Sequence, residues 1–137
     1  MTKDKLDQLS FEIIGAAIEV HKVLGPGLLE NIYAKCLAKE FEIRKIKFDT
    51  ELNIPLVYKN HNLDTNLRCD FLIENSIVVE IKSVLEMNPI FEAQLLSYMN
   101  LLYVPKGILI NFNCKNIFHQ GQKTYVNSLF RNLADFQ

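Results

Sequence analysis

Asp70, Glu80 and Lys82 have the types and spacing to gather a divalent cation beside an ammonium group. In the run Ile77-Val78-Val79-Glu80-Ile81-Lys82, a strand would put Glu80 and Lys82 on one face with Val78, and Ile77, Val79 and Ile81 on the other. The segment before it, Leu67 to Ile73, reads as a second strand, joined through Glu74-Asn75-Ser76. If those three residues are the whole connection, Ile73 pairs with Ile77 and Asp70 falls opposite Glu80. A two-residue loop would instead set Asp70 opposite Ile81, on the wrong face. In the first register the two Cβ atoms lie about 5 Å apart. Repulsion between the carboxylates is then on the order of 3–4 kcal/mol at an effective dielectric of about 20. A divalent cation turns that cost into attraction, because hard oxygen ligands suit Mg²⁺ or Mn²⁺. A solvated strand face would also account for Glu80 and Lys82 alone. Lys82, however, ends its strand just before Ser83 and a helix, where α/β sites often gather.

The surrounding pattern supplies the elements that must position these groups. Apolar residues Ile14, Ile18 and His21, with Ile13, Ala17, Val20 and Leu24 beside them, predict a helix over Ser10 to Leu24. Gly25-Pro26-Gly27 ends it. A second helix is expected from Leu28 to Phe41, with Leu29, Ile32, Cys36 and Leu37 on one side. Arg44, Lys45 and Lys47 at its exit suit the negative end of the dipole. Strands are expected over Leu52–Tyr58, Leu67–Ile73 and Ile77–Ser83. Asn88-Pro89 then caps and opens a helix running to Tyr103, with Phe91, Leu95, Tyr98 and Leu102 on one stripe. Gly107 to Phe112 reads as a buried strand, and Thr124-Tyr125-Val126 as another before a short helix. The order α-α-β-β-β-α-β implies an α/β domain around a mixed sheet.

The chain has 137 residues and a formal charge of −1, with 49% hydrophobic and 23% charged residues. This suits one folded domain over residues 1–137 and argues against disorder. It also argues against a protein that coats nucleic acid nonspecifically, while leaving room for a local basic groove. Cys36, Cys69 and Cys114 lie far apart without metal-ligand spacing, which excludes a zinc ribbon or a disulfide scaffold and fits a reduced cytoplasm. Asp7 and Glu12 stand where a secretory apolar region would be, and no apolar run reaches the roughly 18 residues of a membrane span. A cytoplasmic protein that does not enter a membrane is expected.

The aspartate followed by Glu-x-Lys on the next strand resembles the PD-(D/E)XK nuclease signature. Gly27-Leu28-Leu29-Glu30-Asn31-Ile32-Tyr33 is similar to the Gly-x-x-Glu-x-x-Tyr pattern of the GxxExxY protein family, a branch of that superfamily. Ile14 to His21, Leu24 to Gly27, Glu92 to Tyr98 and Ile108 to Phe112 share the resemblance, which covers roughly Leu9 to Phe112. It implies a restriction-endonuclease-like core, a mixed β-sheet flanked by helices. It further implies that Asp70 and Glu80 bind metal with Glu30 joining them, that Lys82 is the catalytic lysine, and that Gln94 and Tyr98 form a Gln-x-x-x-Tyr helix motif. Cys69 stands where the superfamily name has proline.

Each position also has a plainer reading. Glu30 would complement a helix dipole in any case, and Tyr33 suits packing better than catalysis. Gln94 and Tyr98, one turn apart, share a helix face. His21 is expected to be partly buried near Glu30 across the Gly-Pro-Gly turn, and Arg68 to be an exposed strand charge or a phosphate contact. The leading expectation is Mg²⁺- or Mn²⁺-dependent hydrolysis of phosphodiesters, with Asp70, Glu80 and Glu30 as metal ligands and Lys82 and Gln94 in catalysis. The alternative is a non-catalytic module that keeps the nuclease shape and binds nucleic acid or protein. DNA and RNA remain equally open as substrate, and so does a homodimer.

Overall fold

The strand carrying Glu80 and Lys82 lies at the centre of a five-stranded sheet. The computed structural model describes residues 1–136; Gln137, the last residue of the expected 1–137 domain, lies outside them. Helices α1 (Lys3–Leu24) and α2 (Glu30–Ile43) come first, then strands β1 (Phe48–Asn53), β2 (Leu56–Tyr58), β3 (His61–Leu63), β4 (Arg68–Ile73) and β5 (Ile77–Lys82). Helix α3 (Pro89–Leu102) leads to β6 (Lys106–Asn111). A π-helical turn (Ile117–Gly121), β7 (Gln122–Val126) and α4 (Ser128–Arg131) complete the order. The main sheet runs β1-β4-β5-β6-β7, with β5 and β6 parallel and the other neighbours antiparallel. Parallel pairing needs a crossover, which α3 provides. β2 and β3 form a separate hairpin whose turn, Lys59-Asn60, has φ of 47° and 66° as a tight hairpin turn requires.

Alternation along β5 decides what faces where. Ile77, Val79 and Ile81 join Ile108, Ile110 and Phe112 against α1 and α2, where Leu6, Ile13, Ala17, Tyr33, Leu37 and Phe41 are buried. Val78 and Leu109 pack on the opposite face against Leu95, Tyr98 and Met99 of α3. Glu80 and Lys82, in phase with Val78, therefore start on the α3 side. Gly107 lets α3 approach closely: a Cβ there would stand 2.7 Å from Met99 Sδ and 2.9 Å from Leu95 Cδ1. Lys106 is buried at the start of β6, where its Nζ lies 2.7 Å from Asp7 Oδ1 and 5.4 Å from the Phe130 ring centre.

Several boundaries differ from those expected. Helix α1 starts at Lys3, capped by the Thr2 hydroxyl, because Leu6 and Leu9 extend the buried stripe through a charged stretch. That stripe runs Leu6, Leu9, Ile13, Ala16, Ala17 and Val20, so Ile18 lies on its flank at 40% exposure. The buried side of α2 is Tyr33, Leu37 and Phe41, which leaves Leu29 exposed. The single strand expected over Leu52–Tyr58 is divided between β1 and β2, with Ile54 buried between them and Pro55 unable to donate to a ladder. Helix α3 is capped by the Asn88 side chain as expected, and the strand at 124–126 and the short helix after it are both present. Among the described residues no helix is long and apolar enough to cross a membrane.

Candidate active site

Glu74 and Asn75, with φ of 48° and 55°, reverse the chain between β4 and β5, and Ser76 N–H donates to the Ile73 carbonyl. The resulting register pairs Ile73 with Ile77, Leu72 with Val78 and Phe71 with Val79. This is the three-residue connection, and its continuation brings Asp70 opposite Glu80. There the carboxylates take over from the ladder. Asp70 N–H donates to Glu80 Oε2 at 2.7 Å, and Ile81 N–H donates to Asp70 Oδ2 at 2.8 Å. On the other side of β4, Glu51 in β1 has a φ of 50°, so the pairing with β1 is also interrupted beside Asp70.

Glu80 is 5% exposed and Asp70 half-buried. Burial first, and then the Asp70 charge, push the Glu80 carboxyl from its ordinary 4.5 up to about 8. The neighbouring Cys69 thiol is pushed up to about 12, mainly by burial and then by Glu80 and Asp70. Tyr98 is also raised by burial and by Glu80, while Gln94 Nε2 donates to its hydroxyl at 2.9 Å. Gln94 and Tyr98 thus act as one hydrogen-bonded unit in the field of the carboxylate pair. Lys82 Nζ lies 4.3 Å from the centre of the Phe91 ring, a cation–π contact.

The chain around Lys82 is clamped from two directions. Ser83 Oγ donates to the Leu28 carbonyl at 2.6 Å, tying the approach to α2 to the end of β5. Val84 N–H donates to Asn111 Oδ1, and Asn111 Nδ2 donates back to the Val84 carbonyl. The loop before α2 is held in turn by Tyr33, whose hydroxyl donates to the Gly25 carbonyl and accepts from Leu28 N–H. Its ring stacks on Phe112 with centres 4.4 Å apart. Gly27 in this loop has a φ of 99°, a conformation that L side chains rarely adopt. The Gly-x-x-Glu-x-x-Tyr spacing therefore builds a loop fastened to the end of β5, and Tyr33 serves both packing and turn closure.

Glu30 is the first residue of α2 and exposed, at the helix end that favours a carboxylate. Among the described residues no three His, Cys, Asp or Glu side chains gather as a metal-binding group, so Asp70 and Glu80 stand together as a pair and Glu30 beyond them. His21 is half-buried and has a hydrogen-bond partner: its Nε2 is 2.8 Å from the Cys114 carbonyl. Because that partner only accepts, Nε2 carries the proton. Arg68 is an exposed strand charge 4.0 Å from Glu51.

Asn31 and Lys35 are functional candidates that no sequence pattern singled out. One turn apart on α2, they line a cavity of about 310 Å³ together with Asp70 and Phe71. The i, i+4 spacing was visible, but the cavity that α2 shares with Asp70 belongs to the tertiary structure. Oxygen donors, burial and mutual repulsion make Asp70 and Glu80 a fit for a hard divalent cation, which would relieve the charge cost that raises Glu80.

A family model described as the PD-(D/E)XK nuclease superfamily matches residues 7–124. The match extends beyond Phe112 into β7, past the part of the chain that the motifs alone had identified. No curated protein and no solved structure matches the chain.

Proposed function

Because the chain belongs to the PD-(D/E)XK nuclease superfamily, we propose that it is a metal-dependent hydrolase cutting phosphodiester bonds in nucleic acid. The observation that carries this reading is the carboxylate pair Asp70–Glu80, joined through each other's backbone neighbours at the sheet position that also presents Lys82. The mixed sheet flanked by helices is restriction-endonuclease-like, and residues 1–137 are read as one such domain. The loop organised by Gly27 and Tyr33 supports a place in the GxxExxY branch. Free Cys36, Cys69 and Cys114 suit a reduced cytoplasm.

Asp70 and Glu80 would hold Mg²⁺ or Mn²⁺, and Glu30, exposed at the start of α2 and outside that pair, would be the third carboxylate drawn to the ion. Bound there, the ion supplies a water of lowered pKa and offsets charge developing on the phosphate. The backbone hydrogen bonds to one oxygen of each carboxylate fix both groups before substrate arrives. Lys82 acts as a point charge toward the phosphoryl oxygens or the attacking water. Gln94, oriented by Tyr98, positions the nucleophile or the strand. Asn31 and Lys35 reach the substrate from across the cavity.

The test is incubation of the purified protein with labelled DNA and RNA in Mg²⁺ or Mn²⁺, beside Glu80→Ala and Lys82→Ala. Cleavage lost in both variants supports the assignment, and equal cleavage in all three overturns it. One observation favours the second reading, a binding module of nuclease shape: among the described residues Asp70 and Glu80 gather no third metal-binding side chain. Calorimetry with Mg²⁺ separates the two, because such a module need not take up the ion.

A further inference from the structure

A second cavity, about 260 Å³, opens between the last turn of α1 and the chain that follows β6. Lys22 and His21 line it from α1, and Lys115, Asn116 and Phe118 from the other side, with no acidic residue among its walls. Neither lysine has an ion-pair partner among the described residues. Phe118 is 56% exposed beside them, with His119 set edge-on at 5.0 Å. In a chain of net charge −1, this basic and aromatic combination is locally distinct.

The position of the cavity relates it to the carboxylate site. Lys82 pairs in register with Asn111, and Phe112 N–H donates to the Lys82 carbonyl. The chain then passes Cys114, whose carbonyl bonds His21, and enters the cavity wall. Both sites therefore lie at the same end of the sheet, where β5 and β6 finish. The cavity beside Asp70 is walled by α2, β1 and β4, and the basic cavity opens on the α1 side.

We propose that this cavity binds a single-stranded stretch of nucleic acid flanking the bond to be cut, with backbone phosphates on Lys22 and Lys115 and a base stacked on Phe118. The proposal rests on the nuclease reading above and adds to it a substrate form. Unpaired cations supply attraction to any polynucleotide backbone. An exposed aromatic ring selects for a strand whose bases are free to stack, because paired bases present only their edges.

The experiment measures anisotropy of labelled single-stranded and duplex oligonucleotides of DNA and of RNA, long enough to span both sites, against salt concentration. Lys22→Ala/Lys115→Ala is expected to weaken single-strand binding roughly tenfold and to flatten the salt dependence by about 0.7 per lysine. Phe118→Leu, which keeps an apolar side chain, should weaken single-strand binding and leave duplex binding as it was. Lys39→Ala/Lys59→Ala removes the same charge elsewhere and should bind as the wild type does. All these side chains are exposed, so the variants keep the fold, which thermal melting checks. If the wild type binds and cleaves while the Lys22/Lys115 variant matches it in affinity and salt slope, this site is refuted and the nuclease reading stands. Equal weakening by the Lys39/Lys59 variant also refutes it, because generic charge then explains the binding. A wild type that binds no strand overturns both.

Discussion

Asp70 and Glu80 each accept a hydrogen bond from the other's strand: Glu80 Oε2 from Asp70 N–H, and Asp70 Oδ2 from Ile81 N–H. Where the β4–β5 ladder would have exchanged backbone bonds, carboxylates are held instead. Two negative charges are thus fixed by the sheet in a site that disfavours both being ionised without a cation.

Stability of the metal-free protein should consequently fall with rising pH. The Glu80 carboxyl is raised to about 8 in the folded state against an ordinary 4.5. The folded state therefore holds a proton that the unfolded state has released, and the stabilisation present below 4.5 is lost as pH rises through 8. Thermal melts across this window should show the decline in the wild type and a flatter profile in Glu80→Gln. At pH 8, added Mg²⁺ should raise the wild-type melting temperature and leave Glu80→Gln unmoved. A parallel decline in both proteins would remove Glu80 as the cause.

Lys82→Ala should lower the cleavage rate by about 10²–10³-fold while Mg²⁺ binding measured by calorimetry persists. Lys82→Arg should recover only part of the rate, since a planar fork does not replace a compact ammonium. Loss of ion binding in Lys82→Ala would mean that the lysine organises the carboxylates instead.

Tyr33→Phe keeps the ring that stacks on Phe112 and removes the hydroxyl between Gly25 and Leu28. The expected cost is about 1–3 kcal/mol in chemical denaturation. Hydrogen exchange should accelerate at Leu28 before it does in β5. Unchanged exchange in the 25–28 loop would show that the stack alone holds it.

Gly107→Ala tests how closely α3 sits on the sheet. The added methyl meets Met99 and Leu95 at distances that force one of them to move, and the expected loss is about 1–3 kcal/mol. Met99→Ala should restore part of that loss in the double variant. Full stability in the single variant would mean that the α3–β6 spacing relaxes freely.

Much of this site is legible in the residues themselves, because the relevant information is local. Strict alternation sets the face of Glu80 and Lys82, a three-residue turn sets the register of Asp70, and Asn88-Pro89 sets where α3 begins. What escapes is what depends on distant segments meeting. Asn31 and Lys35 share a cavity with Asp70 only because α2, β1 and β4 meet there, and His21 bonds the Cys114 carbonyl because the chain after β6 returns there. The division of β1 from β2 was hidden because Leu52, Ile54 and Leu56 alternate well enough to imitate one continuous strand. Burial of Ile54 in the α3-side core breaks that continuity.

The perch of Lys82 on Phe91 has a chemical corollary. A ring attracts an ammonium through its quadrupole and offers no counter-charge, so the full unit of positive charge survives the contact. Bonded to a carboxylate, the same lysine would have to break an ion pair before greeting an anion. On an aromatic face, within the field of Glu80 but in no salt bridge among the described residues, it can exchange a weak partner for a strong one.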